Sequence, residues 1–294
     1  MILEVQNIKI EQMKKIILPT DFSENAYNAI RYAVELFKDE ETTFYLLHTY
    51  TPPIFQVEYV FQSPSQSNLE DLYQTRAMKQ LEALKQRLKD EFKTPGHIFR
   101  MRAAFNTLTD EILLITKNEN VDLVIMGTQG VTKAKEILLG TNTTQVINKS
   151  LCPVIAVPSE FRYRTPEAIL FPTDYEINYD RENLQQLLDI SKKYGSTIDV
   201  LHITSGYELS EEKLRKKQKL KDILVPIDLI LNDLPDQGVI EAINQFQAKK
   251  EIDFLVMVRN KHTFFERMFV EPIIKKIGFH IEIPFMVIPH ADKM

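Results

Sequence analysis

Residues 14–21 read KKIILPTD, and residues 167–174 read EAILFPTD, the same pattern 153 positions later. Each stretch is a short apolar run ending in Pro-Thr-Asp, the form of a strand buried on both faces of a parallel sheet and then released into a turn. Downstream of each copy comes a second strand-like run ending in histidine, YLLHT at 45–49 and DVLHIT at 199–204. The halves also close alike, with CPVIAVP at 152–158 and IPFMVIP at 283–289, now offset by 131. At that offset Asp122 in VDLVIM matches Asp253 in IDFLVM, and Pro153 matches Pro284. The 22-residue change of offset falls after the second strand, where the first half carries the longer stretch, roughly 50–95. A duplication with one shortened segment accounts for all of this, and repeats of this kind set the architecture before any local reading does.

Within the first half the periodicity alternates. After Asp21, Ser23 is a helix N-cap, and Ala26, Ile30, Ala33, Val34 and Phe37 recur at helical spacing. TTFYLLHTY is a strand, and residues 51–67 are a Pro- and Ser-bearing excursion. Leu69, Leu72, Leu81, Leu84, Leu88 and Phe92 mark a long amphipathic helix. HIFRMRAAF follows as a strand, 110–117 as a helix, DLVIM as a strand, 141–150 as a helix and PVIAVP as the last strand. Strands alternating with helices through short loops imply parallel strands with right-handed crossovers, and ligands then bind beyond the carboxyl ends of the strands.

The segment after the fourth strand, GTQGVTKAKEILLGTNTTQVINKS, spaces Gly127, Gly130 and Gly140 as G-x2-G-x9-G, with Thr141 next. Glycine permits positive φ and presents no Cβ to hold a phosphate away from main-chain amides. Gly140-Thr141 opens a helix, whose first amides are unpaired and whose dipole favours an anion. A hydroxyl at Thr141 or Thr143 adds a further donor. No GK[ST] sequence is present, since Val131 follows Gly130, which argues against a P-loop.

This pattern is similar to the ATP-binding motif of the universal stress protein family, and PTDFS, LLH, VIMG, KEILLG and PVIAV surround it in the family's order. The chain therefore resembles a tandem member of that family, with a first domain over 13–158 and a second over 166–290. The resemblance implies an α/β fold. Two open parallel five-stranded sheets, each with helices on both faces (Rossmann-like, of the adenine nucleotide alpha hydrolase type), would pair through their last strands as an intrachain pseudo-dimer. Such a chain is compatible with a monomer or a homodimer. Carried over by position, the nucleotide-binding residues are Pro19, Thr20 and Asp21 after the first strand, Thr49 after the histidine, Met126 and Gly127 near the nucleoside, and Gln129, Gly130, Gly140, Thr141, Asn142 and Thr143 around the phosphates. The cofactor implied is ATP, with Mg or Mn held mainly by the phosphates. The function implied is regulatory, ATP altering a surface read by an unknown protein partner. A partner-binding scaffold with structural or absent nucleotide is the alternative, and a slow ATPase is the most catalysis the resemblance allows. Spacing suggests neither a nucleophile set nor a metal-ligand cluster.

The second half departs from the motif: at offset 131, Val258, Lys261, Glu271 and Pro272 stand where the first has Gly127, Gly130, Gly140 and Thr141. A carboxylate and a proline disfavour phosphate by charge and by a lost amide, so this site is expected to be dead. His262, Phe264 and Phe265 are expected to fill the vacated space.

Other features take plainer readings. Asp21 also suits a turn or cap; His48 and His202, repeated in a half without a motif, suit structural roles; Cys152 suits burial. The basic run at 211–221 suits a solvated helix face. A formal net charge of −5 argues against bulk binding of nucleic acid or anionic membrane. With one cysteine no intrachain disulfide forms. No apolar run of spanning length and no signal-peptide pattern appears, so a cytoplasmic location is expected. Met13 opens the first strand, and residues 1–12 read as an extension or a misassigned start.

Overall fold

The structure, a computed structural model, describes residues 13–50, 66–128, 139–203, 208–234, 239–259 and 282–290. The first half runs β1 (Lys14–Pro19), α1 (Glu24–Leu36), β2 (Thr42–Tyr50), α2 (Gln66–Glu91), β3 (His97–Phe105), α3 (Leu108–Glu119), β4 (Leu123–Gly127), α4 (Thr141–Lys149) and β5 (Val154–Val157). The second runs β6 (Ala168–Thr173), α5 (Gln185–Tyr194), β7 (Thr197–Ile203), α6 (Glu211–Leu224), β8 (Asp228–Leu234), α7 (Val239–Lys249), β9 (Phe254–Arg259) and β10 (Phe285–Pro289).

All ten strands form one sheet in the order β3-β2-β1-β4-β5-β10-β9-β6-β7-β8. Every pairing within a half is parallel, and β5 meets β10 antiparallel, with Phe285 opposite Ala156 and Met286 opposite Ile155. The two five-stranded sheets thus join through their last strands, as the resemblance implied. Ile155, Ala156, Phe285 and Met286 at this joint have no exposed surface. Burying each large apolar side chain contributes about 1.5–3 kcal/mol, and joining the two strands also covers two open sheet edges.

The duplication is written into the hydrogen bonds. Asp122 accepts from the Lys15 amide at 2.8 Å, and Asp253 accepts from the Ala168 amide at 3.0 Å, so in each half this carboxylate ties the fourth strand to the first. Beyond the strands, Lys14 reaches Asp189 at 2.9 Å, and Lys193 reaches the Leu36 carbonyl at 2.8 Å and Glu40 at 2.9 Å. These contacts bind α5 to the start of β1 and to the end of α1.

Helix α1 starts as its sequence dictates, with Ser23 in extended conformation accepting from the Ala26 amide, and it buries Ala26, Ile30, Ala33 and Val34. Helix α2 differs from expectation in one respect. Leu81 and Leu88 are buried, but Leu72 is 64% exposed. The cause is length: 26 residues of helix extend about 39 Å, whereas a nine-residue partner strand extends about 30 Å, so the first turns overhang the sheet.

Candidate functional site

The switch of strand order in the first half lies between β1 and β4, which are neighbours in the sheet though not in sequence. The chain leaving β1 is held tightly there. The Thr20 amide donates to Leu47 O at 2.8 Å, Thr20 Oγ1 accepts from the Phe22 amide at 2.9 Å, and Asp21 Oδ1 accepts from the Ser23 amide at 3.0 Å. Phe22 adopts a φ of 64°, a left-handed conformation that a bulky residue keeps only under such constraint. Its ring lies 4.5 Å from that of His48, whose Nδ1 is 2.8 Å from Thr20 O. His48 therefore clamps the turn, the structural role its repetition suggested. Asp21 belongs to the turn, as its simpler reading held, and it also lines the cleft.

Opposite this turn, Gly127 ends β4. A Cβ there would lie 2.6 Å from Asn25 Nδ2, so the Asn25 side-chain amide occupies the space that glycine leaves open. Gly140 is different. It caps α4 with φ −58° and ψ 151° and no side-chain cap bond. The expectation that these glycines provide positive φ does not apply at Gly140; what it contributes is an N-terminus with no side chain competing for the amides of α4. Gly140 N donates to Thr128 O at 2.6 Å, and Thr143 Oγ1 donates to Gly127 O at 2.8 Å. The Thr143 hydroxyl proton is thus spent on fastening α4 to the end of β4.

These parts enclose a cleft of about 250 Å³ lined by Pro19, Thr20, Asp21, Thr49, Met126, Gly127, Gly140, Thr141, Asn142 and Thr143, together with Ala26, His48 and Leu108. Gln129 and Gly130 lie outside the described residues. Ala26, His48 and Leu108 were missed as lining residues. Leu108 follows Thr107, a cap that accepts from the Asp110 amide at 3.2 Å, and that cap beyond a strand end was a usable signal. Ala26 carried no signal.

The second half repeats the turn and then parts from it. Thr173 Oγ1 accepts from the Tyr175 amide at 3.1 Å, Asp174 Oδ1 accepts from the Glu176 amide at 3.0 Å, and Tyr175 has a φ of 54° with its ring 4.8 Å from that of His202. His202 Nδ1 pairs with Asp233 at 3.0 Å instead of with the turn. Where α1 begins three residues after Asp21, α5 begins only at Gln185. The intervening chain turns Tyr175, Ile177 and Tyr179 inward, at 1%, 5% and 3% exposure. The Tyr179 hydroxyl is hydrogen-bonded to Thr173 Oγ1, and burial pushes its phenol well above the ordinary range. Among the described residues, the cavity at this switch point measures about 20 Å³ and is lined in part by Thr173, Asp174, Tyr179 and Val258.

Among the described residues Tyr179 fills the space; His262, Phe264 and Phe265, like Lys261, Glu271 and Pro272, lie outside the described residues. One expectation changes here. The basic run on α6 is only partly a solvated face: Lys213 pairs with Glu176 at 2.5 Å, Lys216 donates to Glu176 O at 2.7 Å, and Lys217 stands 5.5 Å from the Tyr175 ring centre. They pin the inturned segment. Cys152 is 5% exposed, and burial raises its thiol, as its simpler reading held.

A model described as the universal stress protein family matches residues 13–158. A universal stress protein of Methanocaldococcus jannaschii is 32% identical over 154 residues, covering 49% of this chain and 94% of the relative. The chain belongs to the universal stress protein family. A second universal stress protein of the same archaeon is 27% identical over 146 residues, covering 49% of this chain and 81% of that protein. Among solved structures, a universal stress protein from Archaeoglobus fulgidus is 17% identical with a TM-score of 0.68, covering 96% of this chain and 98% of its own. That similarity spans both halves and places the fold of the whole chain among universal stress protein structures. Among the described residues, no helix is long and apolar enough to cross a membrane.

Proposed function

We propose that this universal stress protein is an ATP-binding regulator of the stress response, acting in the cytoplasm, with nucleotide held by the first of its two domains alone. The first domain spans 13–158 and the degenerate second spans 166–290. The observation that carries the reading is the contrast between the two switch points among the described residues: an open cleft of about 250 Å³ in one and a remnant of about 20 Å³ in the other.

The residues of the first cleft suit the cofactor. Gly127 leaves a gap that a Cβ would close against Asn25, and α4 presents amides at a cap without a side chain. In this reading Asp21, Thr49, Met126 and Gly127 hold the nucleoside. The phosphates lie against Gly130, Gly140, Thr141 and Asn142, which attract them through main-chain amides and the helix dipole. Thr143 supports them by securing α4. A Mg or Mn ion is held mainly by the phosphates; among the described residues no group of three His, Cys, Asp or Glu stands ready for a metal. ATP supplies charge and bulk at the mouth of this cleft, and a protein partner reads the surface so formed.

The test is calorimetry with ATP and magnesium on protein stripped of copurified nucleotide, beside a Gly130→Val/Gly140→Val double variant. About one site per chain, lost in the variant, is expected. The φ of −58° at Gly140 admits a side chain there without backbone strain. Absence of binding by folded wild type, or turnover above roughly 1 s⁻¹, within the range of ordinary enzymes, would sink the proposal.

A further inference from the structure

Arg259 ends β9, the fourth strand of the second domain, directly after Val258. At the repeat offset of 131 it stands where the first domain has Thr128. Its side chain crosses the joint between the domains. One guanidinium nitrogen donates to Ile147 O, and the other donates to Ser150 O at 3.0 Å. Ser150 is the C-cap of α4. The helix whose first turn faces the candidate phosphate site is therefore gripped at its last turn by a cation from the other domain.

Both hydrogen bonds that this guanidinium makes with described residues end on main-chain carbonyls of that turn. Those carbonyls are the acceptors a helix leaves unsatisfied, and they carry the negative end of its dipole. Helix α4 has nine residues, too few to be stable alone, since isolated helices below about 12–15 residues are marginal. At its other end it has no side-chain cap. Arg259 is half-buried, and burial holds its guanidinium below its ordinary range, so water screens its charge poorly.

We propose that Arg259 is a positioning residue for the nucleotide site of the opposite domain, ordering α4 and strengthening the pull of its N-terminus on phosphate. The degenerate domain then has a use although it holds no nucleotide: it completes its neighbour's site from behind. This inference rests on the ATP-binding reading above and adds a residue to it.

Stripped full-length protein is compared as wild type, Arg259→Met and Arg259→Lys. Calorimetry follows ATP with magnesium and, separately, adenosine, while amide hydrogen exchange follows α4. Arg259→Met should weaken ATP about fivefold, equivalent to ~1 kcal/mol, leave adenosine unchanged and speed exchange in α4; Arg259→Lys should recover most of each loss. Equal weakening of ATP and adenosine, or none of either, overturns the proposal. If wild type binds no ATP, the ATP-binding reading fails by itself and exchange alone decides here. Faster exchange in the Met variant, restored by Lys, then supports positioning, and unchanged exchange refutes it. If Arg259→Met does not fold, Arg259→Gln replaces it, with the same outcomes expected.

Discussion

The turns after β1 and β6 are nearly superimposable in their bonding, yet one borders a cleft and the other a plug. Both have a threonine hydroxyl and an aspartate that accept from amides two residues on, an aromatic residue at positive φ, and a histidine ring against it. The Pro-Thr-Asp turn is therefore scaffold, a way of reversing the chain at the end of a buried strand, and its presence alone does not make a site. What separates the halves is where the following helix starts. In the first, α1 begins at once and brings Asn25 against Gly127. In the second, the chain from 174 to 184 stays irregular and inserts Tyr179, and valine occupies the Gly127 position.

The largest effect is expected from removing the plug. Tyr179→Ala should destabilise the chain by about 3–5 kcal/mol, as large aromatic truncations do, measured by denaturant unfolding. ATP stoichiometry should stay near one; two sites would mean that the plug alone conceals a live site and would break the comparison. Next, Gly127→Val imports the second domain's residue into the first. Its Cβ would meet Asn25 at 2.6 Å, so a loss of about 1–3 kcal/mol from overpacking and loss of ATP binding in calorimetry are expected. Unimpaired binding would show that α1 can shift freely. The smallest effect belongs to the pins. Lys216→Met should cost only about 0.5–1.5 kcal/mol, as for a single hydrogen bond, and should speed hydrogen exchange at 175–180 without changing ATP affinity.

Much of this was legible in the chain. The offset repeats located the first, second, fourth and fifth strands of each half, because a parallel strand buried on both faces must be a continuous apolar run between turns. β3 (His97–Phe105) matches its sequence reading to the residue, and α1 begins after the expected cap at Ser23. Of the twelve site residues that the family resemblance implied, ten line one cleft, while Gln129 and Gly130 lie outside the described residues. The overhang of Leu72 was not legible, since helical periodicity says which residues share a face but not where the sheet beneath them stops.

The sequence by itself determined the duplication, the order of strands and helices in the first half, the position of the first cleft and the loss of the glycine pattern from the second half. Each of these follows from local pattern: apolar runs, caps, glycine spacing, and charge or proline where an anion would need an amide. Only the tertiary structure decided that Tyr179 plugs the second switch point, that the Asn25 amide sits where a Cβ of residue 127 would lie, and that Arg259 braces α4 from the other half. Those contacts join residues 6, 102 and 109–112 positions apart. Packing sets them through the volume left between elements, and that volume exists only once the sheets have closed on each other.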